Sequence, residues 1–398
     1  MVKFFESAGD WRVRPDRAKL RPMMLASYED YRDAARRRLP RVLFDYIDGG
    51  AYDEHTLARN VEDLKAITLN QRVMHDVSKV DMSLELFGQT LAAPLILAPV
   101  GLTGMYARRG ETQAARAAKT AGLPFCLSTM GLCSIDEVAK AAAPPWFQLY
   151  VMKDRGHMRE LLHRAKDAGC PVLMLTVDLQ TPGTRYRDVR SGMTGRGGMS
   201  AQIAQGIDGL THPAWFWDVY LNGRPHAFGN LPSAIPEARS LTDFWQWIGA
   251  NFDPSMTWKD VEAIREIWTG PILIKGVLHA GDAREAVKCG VDGIVVSNHG
   301  GRQLDGVLSS IAALPRIVDA VGPETQVLMD GGVHSGLDVV KALSLGAKAC
   351  LIGRAWAFAL AAGGEAKVAQ TLGRMKAEMR TAMMLTGCTS LDEVRRRV

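Results

Sequence analysis

The chain lacks the long apolar run that a membrane span requires. Its most apolar stretch, LAAPLILAPVGLTGMYA, is interrupted by Pro94, Pro99 and glycines. It also lacks a strong charge of either sign. A net charge of +5 on 398 residues is mild and gives no case for a nucleic-acid partner. Because 47% of the residues are hydrophobic, the chain can bury the core of one large domain or of two modest ones.

Paired cysteines and metal-ligand motifs are missing as well. The six cysteines form no CxxC pair, and the charged N-terminal segment has no signal-peptide hydrophobic region. We therefore expect thiols in a reducing, cytoplasmic compartment. No HExxH motif occurs and the nine histidines show no ligand spacing, so we expect no metal site. Residues 1–25 are expected to form a poorly ordered extension, and residues 26–398 a single domain.

The chain does have eight short apolar runs, each ending in small or polar residues. They are LILAP (95–99), FCLST (125–129), WFQLY (146–150), VLMLTVD (172–178), ILIK (272–275), GIVVS (293–297), VLMD (327–330) and CLIG (350–353). Most are followed by a helix-like stretch such as GETQAARAAKTAG. This alternation indicates a parallel sheet with helices on both faces. Eight such units predict an α/β fold of the (β/α)8 TIM-barrel type.

A doubly wound nucleotide-binding sheet is the competing architecture. Such a sheet normally carries GxGxxG directly after its first strand, where this chain reads APVGLTG. No GxxxxGKS or GxxxxGKT loop occurs either. The barrel is therefore preferred, with an N-terminal helical extension before its first strand.

One segment interrupts the repeat, because almost a hundred residues separate the fourth and fifth strands. Residues 186–255 lie in this gap and hold ten aromatic residues: Tyr186, Trp215, Phe216, Trp217, Tyr220, Phe228, Phe244, Trp245, Trp247 and Phe252. A small packed excursion with its own core would explain most of these rings, and a lid or binding surface is the functional alternative. Trp-rich loops also favour membrane interfaces, but five arginines against six acidic residues add no attraction to an anionic surface.

The strand ends carry the candidate chemistry, because barrel enzymes build their sites at that edge. The loops DGGVHSG and IGRAW follow the last two strands, and such Gly-rich loops cradle phosphate, here with added charge from Arg354. Two tight turns would also explain the glycines. Lys275 ends the fifth strand, where a buried ammonium needs an anion or a chemical role. A Schiff base, a cation beside an electron-rich ring and a structural ion pair all fit that position.

A histidine–carboxylate pair is predicted across the barrel mouth. His299 follows the sixth strand within SNHGGRQLDG and Asp178 ends the fourth, and such a pair forms a general base with an orienting carboxylate. Arg302 and Arg185 follow these two residues, and two guanidinium groups beside a base suit a substrate carboxylate. Asp305 is expected to be only a turn or salt-bridge carboxylate.

With these residues in place, the sequence resembles the FMN-dependent α-hydroxy acid oxidase and dehydrogenase family. SNHGGRQLDG resembles the family signature, and LPRVLFDYIDGGAYDE, WFQLYV, LTVD, ILIKGV, DGG and IGR follow in family order and spacing. The resemblance covers roughly residues 26 to 398. It is strongest to the bacterial respiratory L-lactate dehydrogenase subgroup, through APVGLTGMYARRGE, TPGTRYRDVRSGM, NGRPHAFGN, NFDPSMTWKD and DGVLSS.

The resemblance implies a role for each matching residue. His299 is implied as the active-site base and Asp178 as its supporting carboxylate. The implied substrate contacts are Arg185 and Arg302 on the carboxylate, with Tyr46 and Tyr150 as hydroxyl partners. For Tyr46, packing of an N-terminal helix on the barrel is an equal alternative. Lys275 is implied beside flavin N1. The other implied FMN contacts are Pro99, Val100, Gly101, Ser128, Gln148, Thr176, Ser297, Asp330, Gly331, Gly332, Gly353 and Arg354.

Two positions depart from the pattern of relatives. His334 stands after DGG, where the family usually has an arginine on the phosphate. Because histidine carries less charge at neutral pH, we expect somewhat weaker retention of FMN. Met130 stands where the short-chain glycolate oxidases have tryptophan. A flexible methionine wall leaves the accepted size of the substrate side chain open.

The resemblance implies oxidation of an (S)-2-hydroxy acid, L-lactate to pyruvate, by FMN. Gly101 stands where fast-reacting oxidases often have alanine, which favours a dehydrogenase that passes electrons to a quinone or cytochrome. A peroxide-producing soluble oxidase and a dehydrogenase for a larger acid such as mandelate are the alternatives. Outside this chemistry stand a barrel isomerase and an inactive interaction module. The resemblance further implies a homo-tetramer, peripheral on the inner face of the cytoplasmic membrane, with residues 186–255 facing membrane or partner.

Overall fold

The computed structural model describes residues 24–194, 199–231, 247 and 250–395. Two short antiparallel strands, β1 (Leu84–Leu86) and β2 (Gln89–Leu91), precede eight parallel ones. The parallel strands are β3 (Leu95–Leu97), β4 (Cys126–Ser128), β5 (Trp146–Tyr150), β6 (Leu173–Thr176), β7 (Ile272–Val277), β8 (Gly293–Val296), β9 (Gln326–Met329) and β10 (Cys350–Ile352). From β4 to β10 each strand pairs with the next one in sequence, and β10 pairs with β3. An isolated bridge between Leu97 and Phe125 joins β3 to the segment entering β4. The predicted (β/α)8 barrel is confirmed.

The helices of the described residues fall into four groups. The N-terminal extension holds α1 (Tyr28–Arg38), α2 (Arg41–Asp48) and α3 (His55–Ala66). The first half of the barrel has α4 (Gly110–Ala121), α5 (Ile135–Ala141) and α6 (Arg155–Asp167), and the insertion after β6 has α7 (Tyr186–Ser191), α8 (Met199–Leu210), α9 (Pro213–Trp215) and a π-helical turn (Phe216–Leu221). The second half has α10 (Trp258–Ile267), α11 (Ala280–Lys288), α12 (Ser310–Val321), α13 (Gly336–Ser344), α14 (Arg354–Leu385) and α15 (Leu391–Val394).

The barrel strands are apolar on both faces because both faces are buried. Alternate residues of β7 show this: Ile272 and Ile274 pack in the large core beneath the helices, whereas Leu273 packs inside the barrel. A strand with one solvent-exposed face would alternate apolar with polar residues. The short continuous runs that predicted these strands thus follow from the two-sided burial.

The amino ends of the strands are closed by the β1–β2 hairpin. Leu86 and Leu91 of this hairpin belong to the same buried cluster as the residues inside the barrel. Trp146 of β5 donates its indole N–H to Gln89 at 2.8 Å, and its ring meets Phe87 edge-on. The hairpin therefore fills this end of the barrel with apolar contacts and leaves the opposite end as the open one.

The insertion between β6 and β7 is attached to the open end. Trp215 is buried and donates its indole N–H to the Met105 carbonyl at 2.7 Å. Asn230, fully buried, accepts from the Ile135 N–H at 3.0 Å, beside the loop that follows β4. Phe244 and Trp245 lie outside the described residues, as do residues 1–23 of the predicted extension. Among the helices described, none has the length and apolar character needed to cross a membrane.

Candidate active site

A cavity opens at the carboxyl ends of the barrel strands, with about 1270 Å³ of empty space that includes its solvent-open mouth. Most residues predicted for the site line it: Tyr46, Pro99, Val100, Gly101, Ser128, Tyr150, Thr176, Arg185, Lys275, His299, Arg302, Asp330, Gly331, Gly332, Gly353 and Arg354. Three predicted residues lie behind this wall, each hydrogen-bonded to a wall residue. Asp178 bonds to His299, Gln148 to Ser128 and Ser297 to Lys275.

His299 and Asp178 form a close pair at the ends of β8 and β6. His299 Nδ1 lies 3.0 Å from Asp178 Oδ1, so Nε2 is the ring nitrogen left for a substrate. Burial lowers the pKa of His299 below its ordinary value, against the opposing charge of Asp178. Burial would raise the pKa of Asp178, but the interaction with His299 and the charge of Lys275 outweigh it and lower that pKa. The pair therefore consists of a neutral imidazole and an ionised carboxylate, as a general base requires.

The backbone around His299 is turned by three residues with positive φ. His299, Gly300 and Gly301 have φ values of 58°, 65° and 74°. A histidine in this left-handed region is uncommon, and such strain is typical of functional sites. A side chain at Gly301 would lie 2.6 Å from the backbone nitrogen of Leu57, so only glycine fits there. This turn brings His299 and Arg302 to the same cavity.

Both arginines lie over the ring of Tyr46, Arg185 at 6.0 Å and Arg302 at 4.7 Å from its centroid. Arg302 Nη1 donates hydrogen bonds to the carbonyls of Tyr46 and Gly49, at 2.5 and 2.9 Å. Arg185 is buried and donates Nε to the Arg302 carbonyl at 3.1 Å. Burial, and next the charge of Arg302, lower the pKa of Arg185. A bound carboxylate would relieve the repulsion between these two cations.

Lys275 is held as a cation in the wall of the cavity. Its Nζ lies 3.0 Å from Asp330 Oδ2 and 2.9 Å from Ser297 Oγ. Burial would lower the pKa of Lys275, but the charges of Asp330 and Asp178 outweigh it and raise that pKa. A Schiff-base lysine needs a neutral amine, so this environment argues against that alternative. The ion pair and the cation beside a ring remain, and they are compatible.

Two buried polar atoms that lack a hydrogen-bond partner among the described residues indicate what kind of cofactor fits the cavity. They are Gln148 Nε2 and Asp330 Oδ1. Gln148 is fully buried beside Ser128, and Asp330 lines the cavity next to Lys275. Leaving such groups unpaired is costly, so a ligand with hydrogen-bonding atoms at both strand ends is expected. FMN, with a polar ring and a polyol chain, fits this requirement.

The cavity ends at β9 and β10 in a tight, basic corner. Arg354 donates to the carbonyls of Ile47 at 2.8 Å, Gly300 at 2.9 Å and Gly49 at 2.8 Å. Burial and the charge of Arg302 lower the pKa of Arg354 to about 10, which leaves it charged at neutral pH.

His334 lies in the same corner with its ring stacked on Tyr28, the centroids 3.4 Å apart. Burial and the charge of Arg354 lower the pKa of His334 to about 3, so its imidazole is neutral. The corner therefore places the cation of Arg354 beside an uncharged ring at His334.

Several residues of the wall were not predicted from the sequence. Phe252, at the far end of the insertion, lines the cavity with its ring 5.2 Å from Tyr150. Tyr106 lines it too, with a buried hydroxyl that has no partner among the described residues. The only signal for Phe252 was the aromatic content of the insertion. Asp305 accepts from the N–H of Thr56 at 2.7 Å, which fits the expected structural role.

Comparisons with known proteins agree on one family. A family model described as FMN-dependent dehydrogenase matches residues 35–398. Proteins named L-lactate dehydrogenase from Xanthomonas campestris pv. campestris and Caulobacter vibrioides are each 58% identical to this chain over 373 residues. That span is 94% of this chain and 96% or 97% of theirs.

Solved structures agree with this assignment. A mandelate oxidase with (S)-4-hydroxymandelic acid is 37% identical, with a TM-score of 0.82, and the match covers 94% of this chain and 98% of that one. A monotopic membrane protein, (S)-mandelate dehydrogenase, is 34% identical, with a TM-score of 0.85, and the match covers 93% and 97% of the two chains. The chain therefore belongs to the FMN-dependent dehydrogenase family.

Proposed function

We propose that this protein is an FMN-dependent dehydrogenase that oxidises an (S)-2-hydroxy acid, L-lactate to pyruvate. The observation that carries the proposal is a cavity lined by His299, Arg185 and Arg302, in which His299 is neutral and bonded to an ionised Asp178. The relatives named L-lactate dehydrogenase are 58% identical, against 34–37% for the mandelate enzymes quoted above. Identity thus favours lactate over mandelate as the substrate.

Each cavity residue has a role in this proposal. Arg185 and Arg302 bind the substrate carboxylate, which two guanidinium groups hold more firmly than water does. Tyr46 and Tyr150 donate their hydroxyls to the substrate. His299 Nε2 takes the hydroxyl proton or the α-proton, and Asp178 stabilises the imidazolium that forms.

FMN supplies the acceptor for the two electrons that leave the substrate. The residues that would hold it are the strand ends and Gly-rich loops: Pro99, Val100, Gly101, Ser128, Gln148, Thr176, Lys275, Ser297, Asp330, Gly331, Gly332, Gly353 and Arg354. Of these, Lys275 brings a fixed positive charge into a buried wall, and Gln148 and Asp330 bring unpaired hydrogen-bonding atoms. The residues present fit this cofactor.

The final electron acceptor in this proposal is a quinone or cytochrome at the cytoplasmic membrane. Residues of the insertion support a membrane-facing role, because α8 exposes an apolar stripe. Ile203, Ile207 and Leu210 are each more than half exposed, and they recur at helical spacing on one face. We also propose that the protein is a homo-tetramer that lies peripherally on the inner face of the cytoplasmic membrane.

The proposal is tested by mixing the FMN-loaded enzyme without oxygen with L-lactate, D-lactate, glycolate and (S)-mandelate. We expect L-lactate to bleach the flavin absorbance fastest. Oxygen and a soluble quinone are then added separately, and we expect the quinone to restore the absorbance faster. Absence of bleaching by every hydroxy acid would exclude the proposed activity, and rapid recovery with peroxide formation in oxygen would identify an oxidase.

A further inference from the structure

The two arginines proposed to bind the substrate carboxylate lie on two loops that are far apart in sequence. Arg185 ends the β6 loop (residues 177–185), and Arg302 lies in the β8 loop (residues 297–306). Two guanidinium groups can share one carboxylate only if their separation is fixed, because charge-assisted hydrogen bonds to a carboxylate depend on the geometry of both groups. The contacts between the two loops therefore decide how well the site works.

One side chain, Gln303, makes most of these contacts. Its Nε2 donates to the carbonyls of Asp178 at 2.8 Å and Thr181 at 3.0 Å. Its Oε1 accepts from the Gly183 N–H at 3.3 Å and from Arg185 Nη2 at 3.4 Å. A carboxamide has two donor hydrogens and two acceptor lone pairs, so all four are used on the β6 loop.

The backbones of the two loops also touch at this point. A side chain on Gly183 would lie 2.4 Å from the Arg302 carbonyl oxygen and 2.8 Å from the Gln303 Cα. The β6 loop can approach the β8 loop this closely only because residue 183 has no side chain. Gln303 thus sits at the closest approach of the two loops, and it bonds along the length of the β6 loop.

We propose that Gln303 is a positioning residue for substrate binding, an inference that rests on the proposed function. Arg185 and Arg302 line the cavity, whereas Gln303 stands behind them and reaches the substrate only through Arg185. Its carboxamide holds the β6 loop in register with the β8 loop, so that both arginines meet the same carboxylate. Gln303 bonds to the backbone carbonyl of Asp178, whereas the Asp178 carboxylate is bonded to His299. We therefore expect the His299–Asp178 contact to persist when Gln303 is replaced.

The test compares Gln303→Met, which keeps the side-chain length and removes the four hydrogen bonds, with Gln180→Met. Gln180 lies in the same β6 loop but is exposed, with one long bond of 3.5 Å to the Met256 carbonyl. For Gln303→Met we expect the half-saturating L-lactate concentration for flavin bleaching to rise about tenfold or more. The limiting rate should stay within about threefold of wild type, and Gln180→Met should match wild type.

A second measurement separates this inference from the proposed function. Binding of oxalate, a carboxylate that is not turned over, is followed by the change in flavin absorbance of the loaded enzyme. Weaker oxalate binding in Gln303→Met with an unchanged melting temperature supports the positioning role. The positioning role would be overturned if Gln303→Met bound oxalate and L-lactate as tightly as wild type. It would also be overturned if Gln303→Met and Gln180→Met lost affinity equally. A wild-type enzyme that binds oxalate but oxidises no hydroxy acid would refute the proposed function alone.

Discussion

The two ends of the barrel are built from the same strands but hold opposite kinds of side chain. At the amino ends, the β1–β2 hairpin and Trp146 close the barrel with apolar residues. At the carboxyl ends, the wall holds the part-buried His299 and the buried Lys275 and Arg185, and each has a charged or polar partner within about 3.5 Å. A single strand, β5, runs from the buried indole of Trp146 to the polar Gln148 and Tyr150.

This difference shows where the fold stores stability and where it places chemistry. Apolar burial at the amino ends stabilises the barrel, and it lies away from the candidate catalytic residues at the carboxyl ends. Charges at the carboxyl ends cost desolvation, and such charges cluster where they act together on a ligand, which is the role proposed for them here. Changes at the closed end should therefore alter stability alone, and changes at the open end should alter activity alone.

The largest predicted effect on stability comes from Trp146→Ala at the closed end. Loss of a buried indole should lower the free energy of unfolding by about 3–5 kcal/mol, measured by urea unfolding. Turnover per bound FMN should remain at the wild-type value. Trp217→Ala, at an indole that is 68% exposed, is the matched control and should change stability by about 0.5 kcal/mol or less. Lower turnover in folded Trp146→Ala would break the separation of the two ends.

A smaller effect is predicted from pH at the open end. Burial lowers the pKa of His299, and only the neutral imidazole accepts a proton. The value of kcat/KM should be constant above this pKa and fall about tenfold per pH unit below it. The acid limb should therefore lie below pH 6.5, the ordinary histidine value. A limb centred above 6.5, measured where the melting temperature is constant, would contradict a buried neutral base.

The smallest effect is predicted for His334→Arg in the basic corner. His334 is neutral because its pKa is about 3, so an arginine would add a positive charge near the expected FMN phosphate. FMN affinity, measured by titrating apoprotein and following flavin fluorescence, should increase about fivefold, or about 1 kcal/mol. Loss of the stack on Tyr28 limits the gain. Equal affinities in both proteins would show that this corner does not need the charge.

Much of the barrel could be predicted because the burial of each strand shows in that strand's own short segment of sequence. Two-sided burial makes each strand a short apolar run, and the open end collects the polar residues that follow. The run ILIK therefore predicted both β7 and the position of Lys275. The β1–β2 hairpin could not be predicted in this way, since each of its strands buries only one of its three residues and so forms no apolar run.

The contacts that complete the site left no sequence pattern. Gln303 bonds to backbone atoms more than a hundred positions away, and nothing in its neighbours indicates that partner. Phe252 reaches the cavity from the end of a long insertion, and its neighbours in sequence do not indicate that position either. His299 and Asp178 were placed together only through the geometry of a barrel mouth. Their roles, like those of the other site residues, stay predictions.

The most direct test of the central claim is the rate at which L-lactate bleaches the flavin of His299→Ala without oxygen. The visible spectrum of the variant should show bound FMN, because His299 is not needed to hold it. The rate should fall by about 10²–10⁴-fold relative to wild type, the usual contribution of a general base. A variant that retains FMN and is reduced at the wild-type rate would contradict the assignment of the open end as the catalytic one.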